Sequence, residues 1–469
     1  MPIYTIANSL GEINWASLLP GDEVRIPWRS TPYSEKILMR ARGTAASRIR
    51  VVGILGPAGQ KPVIDAFNAT THSQFAFSPT YRPIEDAGLF TFNRYASDPS
   101  THRPGFVTLE NIQFRNAGWH NPTKNYTAFD GTGREYSHDA SGIYIVCGDS
   151  IEVKNCEIDR NGNGVFVLGS QRCTDFALRG SYIHDNGWTQ AGLPNAHNVY
   201  VESLGAIYED NRFGRPAVAG VVNLKDRSAG TIVRRNRIEG SARCIDLSVA
   251  QDLAPDAILR DDYYRQIIEN NLLILTSDPR DGTQFVYCEG RTDSQGRAQT
   301  VDFNFNTMAC NRPPISDQNS CTVAYSWEGH PGTWPKVNAD HNLAWANGAG
   351  GAWSPWFTLF RQEGTAALLP NVFPAGWGTH TAGDGSQVFV TGQANLIIAG
   401  TSDANGRSMP DPFVDSPNGN YTLPVGSPYA GFGCNLTAPP PPPGPDEWEL
   451  IDELLFAGGN YKLGLFRKV

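Results

Sequence analysis

Lys225 is followed directly by Asp226 and Arg227, with Arg243 and Asp246 further along the chain. A lysine flanked by arginine holds its proton less tightly, because neighbouring positive charge disfavours the ammonium form. In that state it can take a proton from a substrate. The guanidinium groups offer a planar, bidentate grip on a carboxylate and a fixed charge beside a developing anion. His197 could orient a ligand hydroxyl, or cap a turn through a backbone carbonyl. Asp139, Glu202 and Asp246 could instead supply the paired carboxylates of glycoside hydrolysis. His138-Asp139 and His184-Asp185 stand at turns beside strands and could face the same groove. A plainer reading is also open: Lys225-Asp226-Arg227 as solvated turn residues, and Arg234, Arg235 and Arg237 as an exposed charged row.

The elements that must position these groups repeat along the central third. Gly142-Ile143-Tyr144-Ile145-Val146, Gly164-Val165-Phe166-Val167-Leu168, Asn198-Val199-Tyr200-Val201-Glu202, Gly220-Val221-Val222-Asn223-Leu224 and Cys244-Ile245-Asp246-Leu247 begin 22, 34, 22 and 24 residues apart. The long interval holds an insertion around Trp188 to Asn195. A second strand follows each run, as in Ile151-Glu152-Val153 and Thr231-Ile232-Val233, and then a turn and a third short strand. Asn155, Asn211, Asn236 and Asn270 recur at that turn, where asparagine tolerates left-handed geometry and can bond to stacked equivalents. One such coil cannot bury its own apolar side chains, so it must stack on its neighbours through parallel hydrogen bonds. No helical period separates the strands, which excludes a doubly wound α/β fold.

The expected architecture is all-β, a right-handed single-stranded parallel β-helix (a solenoid) over residues 1–436 with a Pro-linked C-terminal tail. Residues 1–20 form the N-terminal cap, with a short helix over 7–19. Residues 276–410 are irregular, loop-rich coils carrying Trp327, Trp334, Trp345, Trp353, Trp356 and Trp377, whose flat faces suit sugar stacking or core packing alike. Asp411-Pro412-Phe413-Val414-Asp415, Asn420-Tyr421-Thr422-Leu423 and Gly426-Ser427-Pro428 read as a closing coil. Residues 437–445 are a stiff proline-rich linker. Residues 446–469 are an apolar tail, a hairpin or helix–strand piece too small to fold alone, which must dock on the coils, a protein partner or a second copy.

Composition narrows the partners. The net charge of −9 leaves no electrostatic footprint for nucleic acid. No apolar run is long enough to span a membrane, and Met1-Pro2-Ile3-Tyr4 opens no signal peptide. A virion-associated location, or export by a route other than the general secretory one, fits that start. The 8 cysteines show no zinc spacing; Cys310 and Cys321 could bridge a loop, and the rest read as buried thiols. Asn-x-Thr sequons at Asn68, Asn125, Asn420 and Asn435 are expected by chance in an asparagine-rich chain.

His197-Asn198-Val199-Tyr200, Asn211-Arg212-Phe213, Leu224-Lys225-Asp226-Arg227 and Arg234-Arg235-Asn236-Arg237-Ile238 resemble the right-handed β-helix group of polysaccharide-active proteins. Within that group, Lys225 followed by a coil ending in Arg243 is similar to the arrangement of alginate and chondroitin lyases. The fold resemblance spans most of the chain, and the catalytic one only His197 to Asp246. It implies cleavage of an acidic polysaccharide by β-elimination. Lys225 would take the C5 proton of a uronic acid, and Arg243 would neutralise the enolate or act as the acid. Arg227 would hold the carboxylate, with His197, Tyr200, Glu202 and Asp246 lining the substrate site. In such lyases a calcium ion often grips the substrate carboxylate. In this chain Glu202 and Asp246 are the nearest candidates, no acidic cluster stands at the matching place, and no metal ligand is assigned. Hydrolases resembling polygalacturonases and phage tailspikes use paired carboxylates on this fold, but the chain contains no Asn-Thr-Asp or Gly-His-Gly run. Two non-enzymatic alternatives stay open: a binding module, or a structural or receptor-binding appendage of the phage virion or tail type, anchored by residues 446–469.

Overall fold

The computed structural model describes residues 2–79, 81–118, 125–190, 193–276, 278, 284–291, 297–310, 321–326, 336–346, 357–360, 364–368, 370–374, 388–392, 396–398, 412–434, 448–455 and 462–468. They divide into two compact units. One holds residues 1–221 with 251–253 and 437–469, the other 222–250 and 254–436.

In the first unit, from Ile49 onward, each coil contributes one strand to each of three parallel sheets. Alternation puts every second side chain inside, and the parallel register stacks those side chains in rows. In one sheet the row is Val24, Val51, Leu109, Val153, Leu178 and Tyr208. In the second it is Ile37, Phe90, Ile143, Val165 and Val199. In the third it is Ile64, Phe114, Ile158, Ile183 and Phe213. All of these are fully buried, each contributing about 1.5–3 kcal/mol as apolar surface leaves water. The expected helix over 7–19 is only a 3-10 turn, Leu10–Glu12, closed by a capping box from Ser9 and Glu12. Chain entry is already a strand, Ile3–Thr5, paired in parallel to Glu23–Pro27.

The second unit repeats the plan. Leu224–Asp226, Arg243–Leu247 and Gln284–Cys288 stack in one sheet. Ala229–Arg234, Arg265–Glu269 and Thr300–Asn304 stack in another, and Arg237–Glu239, Leu272–Leu275 and Thr307–Cys310 in the third. Within 276–410 the strands keep this order as far as Val388–Gly392 and Leu396–Ile398.

The turn asparagines occupy two positions rather than one. Asn155 and Asn270 take left-handed φ values of 47° and 55° at the corner itself. Asn211 and Asn236 lie one residue later and point inward, at 2% and 1% exposure. In the second unit this inner position is a continuous amide ladder. Asn236, Asn271, Asn306 and Asn342 each donate backbone N–H and side-chain Nδ2 to the next Oδ1, ending on Asn371, at 2.8–3.2 Å. Asn306→Ala would strand the Asn271 amide and the Ile268 carbonyl. A loss of about 2–4 kcal/mol is expected in chemical denaturation.

Residues 412–434 do not form a closing coil. They lie as a strap on the outward face of the second unit's third sheet. Phe413 and Tyr421 pack there with Leu272, Ile274, Leu343, Trp345 and Val372. Arg237 donates to the Gly419 carbonyl at 3.0 Å, and Cys434 N–H to Thr307 Oγ1 at 3.0 Å. Trp345, 1% exposed, meets Phe413 edge to face at 5.7 Å, so it is core and not a sugar platform. The other five tryptophans of that region lie outside the described residues.

Cys310 is disulfide-bonded, while the Cys321 side chain lies outside the described residues. Cys147, Cys156, Cys173, Cys244, Cys288 and Cys434 are free thiols, all but Cys434 buried. The linker 437–445 lies outside the described residues. Beyond it, Trp448–Leu455 and Lys462–Lys468 pair as an antiparallel hairpin, with an irregularity between Leu450 and Asp452. Among the described residues no helix is long and apolar enough to cross a membrane.

Candidate active site

Lys225 and Asp246 are register partners on adjacent strands of the second unit. Leu224 and Asp226 on either side of Lys225 are fully buried, so alternation turns Lys225 to the opposite, outward face. The next strand brings Tyr287 into register with Asp246. Arg243 lies 3.8 Å above the Tyr287 ring centroid and donates to Asp246 at 2.7 Å and to Gln284 at 3.0 Å. Ser248 donates to the second oxygen of Asp246 at 2.7 Å. Arg227 donates to the Val249 carbonyl at 2.5 Å and stands 3.9 Å from Glu289. Lys225, Arg227, Arg243 and Asp246 thus share one patch, which Tyr287, Gln284 and Glu289 complete.

Burial is the main cause that lowers the Lys225 pKa, with Arg227 and Arg243 adding to it and Asp246 opposing. The flanking arginines are therefore a secondary cause, not the leading one that the sequence suggests. Nor are these solvated turn residues. Asp226 is fully buried, accepting from Ser228 N–H at 3.0 Å and Thr231 Oγ1 at 2.6 Å. Arg237 is likewise held by Glu239 at 2.7 Å rather than standing in an exposed row.

Behind Lys225 lies a fully buried arginine that sequence reasoning passes over. Arg291 donates to the carbonyls of Ser248 at 3.0 Å, Ser228 at 2.6 Å, Tyr263 at 3.0 Å and Asp226 at 3.3 Å. Its guanidinium is 3.7 Å from the Asp226 carboxylate and 4.7 Å from the Tyr263 ring centroid. It fixes the corner that leaves the Lys225 strand.

His197, Tyr200 and Glu202 belong to the first unit. Tyr200 continues an outward aromatic row, with Tyr144 and Phe166 stacked at 5.5 Å and Phe166 and Tyr200 at 5.1 Å. His197 is 3% exposed, its ring edge-on to Tyr200. Glu202, 4% exposed, accepts the Gln251 and Leu253 amides at 2.8 and 2.7 Å. That carboxylate holds a loop. Asp246, engaged at both oxygens by Arg243 and Ser248, offers no open oxygen of the kind calcium requires.

A second cluster lies on the third sheet of the first unit, where Glu157, Asp159 and His184 bring ligand atoms within 4.8 Å of one another. The signal for it in the sequence is an outward Glu-x-Asp with His184 in register on the following coil. Gln113 donates to Glu157 at 3.1 Å and to Asp159 at 2.7 Å, and Arg160 pairs with Asp159 at 2.8 Å. Burial raises the Asp159 carboxyl to about 6, with the Glu157 charge adding to the rise. Burial pulls His184 down, but its hydrogen bond to Asp185 at 2.7 Å and the Glu157 carboxylate 3.5 Å away outweigh it and bring His184 up to about 9. The folded state therefore holds the His184 proton more tightly than the unfolded chain. That stabilisation is complete below the ordinary histidine value of 6.5 and is lost as pH rises through about 9. Thermal midpoints measured from pH 6 to pH 9.5 should fall, and His184→Gln should flatten the slope.

Residues 108–271 match the family model described as the right handed beta helix region. No curated protein matches the chain in sequence. Among solved structures it is similar to an alginate lyase from Paenibacillus sp., at 14% identity, covering 74% of this chain and 98% of that one with a TM-score of 0.45. It is also similar to pectate lyase Pel9A, at 13% identity, 91% and 88% coverage and a TM-score of 0.40. A lacto-N-biosidase from Eubacterium ramulus aligns at 14% identity over 83% of this chain and 64% of that one, with a TM-score of 0.41. With its three parallel sheets and its match to that region, the chain has the right-handed parallel β-helix fold.

Proposed function

We propose that this is a carbohydrate-active protein that cleaves an acidic polysaccharide by β-elimination at the Lys225 face. The observation that carries the reading is the half-buried Lys225, its pKa lowered, in a patch with Arg227, Arg243 and Tyr287. Elimination from a uronic acid needs a base for the C5 proton and positive charge where the carboxylate becomes an enolate. Neutral Lys225 takes the proton. Arg243, held flat by Tyr287, Asp246 and Gln284, carries the charge, and Arg227 adds a second guanidinium for the carboxylate. The C4–O bond then breaks, its electrons leave with the glycosidic oxygen, and that oxygen takes up a proton. A C4–C5 double bond remains on the new non-reducing end.

The test is incubation with a panel of polyuronates and sulfated uronate polymers while the ultraviolet absorbance of the conjugated product is followed. A rise on at least one polymer is expected. A flat trace across the panel, from a chain whose thermal transition is intact, would remove the reading.

A further inference from the structure

The first unit carries a pocket at the side of its second sheet, distant in sequence from Lys225 and the residues around it. Thr70–Thr71 pairs in parallel with Glu35–Met39 and with Asn125–Thr127, and Asn125–Thr127 pairs antiparallel with Gly133–Glu135. Together these strands form a pocket of about 540 Å³, lined by Asn68, Asn125, Tyr126, Thr127, Arg134 and Glu135 with Gly133. Small-molecule sites commonly span roughly 300–1,000 Å³.

The wall behind it is rigidly built. Tyr126 is 2% exposed, and its hydroxyl donates to Asp86. Arg134 donates to both oxygens of Asp86, at 3.0 and 2.6 Å. Deeper still, the fully buried Lys36 ammonium sits 3.9 Å from the ring centroids of both Tyr126 and Tyr136 and donates to the Glu85 carbonyl at 2.6 Å. Phe129 N–H binds the Glu85 carboxylate at 3.0 Å. Such anchoring fixes the strand pair that backs the cavity, and with it the backbone from which Asn125, Thr127 and Glu135 project on the other face, which lowers the ordering cost of binding.

The lining decides the ligand class. Asp86 already offsets the Arg134 charge, and Glu135 adds a negative one, so anionic ligands are disfavoured. Amides, a threonine hydroxyl and a carboxylate are groups that hydrogen-bond the vicinal hydroxyls of a sugar. We infer that this pocket binds a neutral saccharide unit. Only the choice of a sugar among polyhydroxylated ligands rests on the carbohydrate reading above; the elimination chemistry is not needed. The Lys225 face and this pocket would then recognise different units, acidic and neutral.

Gly133 gives a clean test. Its backbone is outside the left-handed region, and a Cβ built there meets nothing within 4 Å, so Gly133→Leu fills the pocket without strain. The probes are xylo-, cello-, manno- and galacto-oligosaccharides titrated calorimetrically into the full chain. At least one series should bind, with affinity falling tenfold or more in Gly133→Leu and in Glu135→Ala and unchanged in Lys225→Ala. Matching thermal midpoints would establish that both pocket variants fold. The site is overturned if none of the four series binds, if Gly133→Leu binds as the wild type does, or if oligouronides prove to be its tighter ligands. A chain that binds these sugars but releases no unsaturated ends upholds the pocket while removing the elimination reading.

Discussion

Lys225→Ala is expected to lower the release of unsaturated ends by about 10²–10⁴-fold, the usual contribution of a positioned general base. The thermal midpoint should barely move, because the side chain faces outward while its neighbours Leu224 and Asp226 carry the interior contacts. Lys225→Arg should be equally inactive, since a guanidinium keeps the charge and the reach but does not give up its proton. The pH profile of kcat/KM should rise through a value below that of ordinary lysine, because burial, then Arg227 and Arg243, favours the neutral amine. Asp246 pulls the other way. Asp246→Asn should therefore move the rising limb to lower pH. A profile unmoved by that change would detach Asp246 from the base.

Arg291→Met should produce the largest loss of stability in the second unit. The guanidinium satisfies four carbonyls, from Asp226, Ser228, Ser248 and Tyr263, and stands beside the Asp226 carboxylate with neither charge exposed. Methionine fills much of the volume but takes a donor from each of those carbonyls and removes the counter-charge of the buried Asp226 carboxylate, which keeps only its neutral donors Ser228 N–H and Thr231 Oγ1. Breaking a buried pair in this way costs about 3–5 kcal/mol, or roughly 10 °C in the thermal midpoint. Asp226→Asn combined with Arg291→Met should recover part of the loss, because the stranded charge is gone. If Arg291→Met unfolds at the wild-type temperature, the corner behind Lys225 is held by something else.

The strands are legible in the sequence wherever alternation runs cleanly. Ile143, Val165 and Val199 announce one inward row, but the spacing of 24 between the Gly220 and Cys244 runs sets Val222 opposite Asp246, whereas the strand opens only at Leu224 and pairs Lys225 with Asp246. The asparagine turn is half legible. Two consecutive positions both favour asparagine, one for its tolerance of positive φ and the next for its amide, so spacing alone merges Asn155 and Asn270 with Asn211 and Asn236. Tyr287 and Glu289 escape notice, because a long insertion separates their strand from Arg243–Leu247. Arg291 is invisible for a different reason. An arginine inside a coil is recognisable only once the carbonyls that surround it are in place. The strap imitates a coil because Asn420-Tyr421-Thr422-Leu423 alternates polar and apolar residues as a strand does, and Pro412-Phe413-Val414 supplies a short apolar run beside it. Its true partner is the unusually apolar outward face made by Leu272, Ile274 and Trp345.

Elimination and hydrolysis differ in whether water enters the product, and that difference separates a Lys225 base from paired carboxylates. The digestion of a responsive acidic polysaccharide would be run in heavy-oxygen water, and the newly formed ends analysed promptly by mass spectrometry. Proton abstraction by Lys225 predicts unsaturated ends with no heavy oxygen gained at the cleaved bond. Saturated ends carrying one heavy oxygen per cleavage would mean hydrolysis, and would contradict Lys225 as the base.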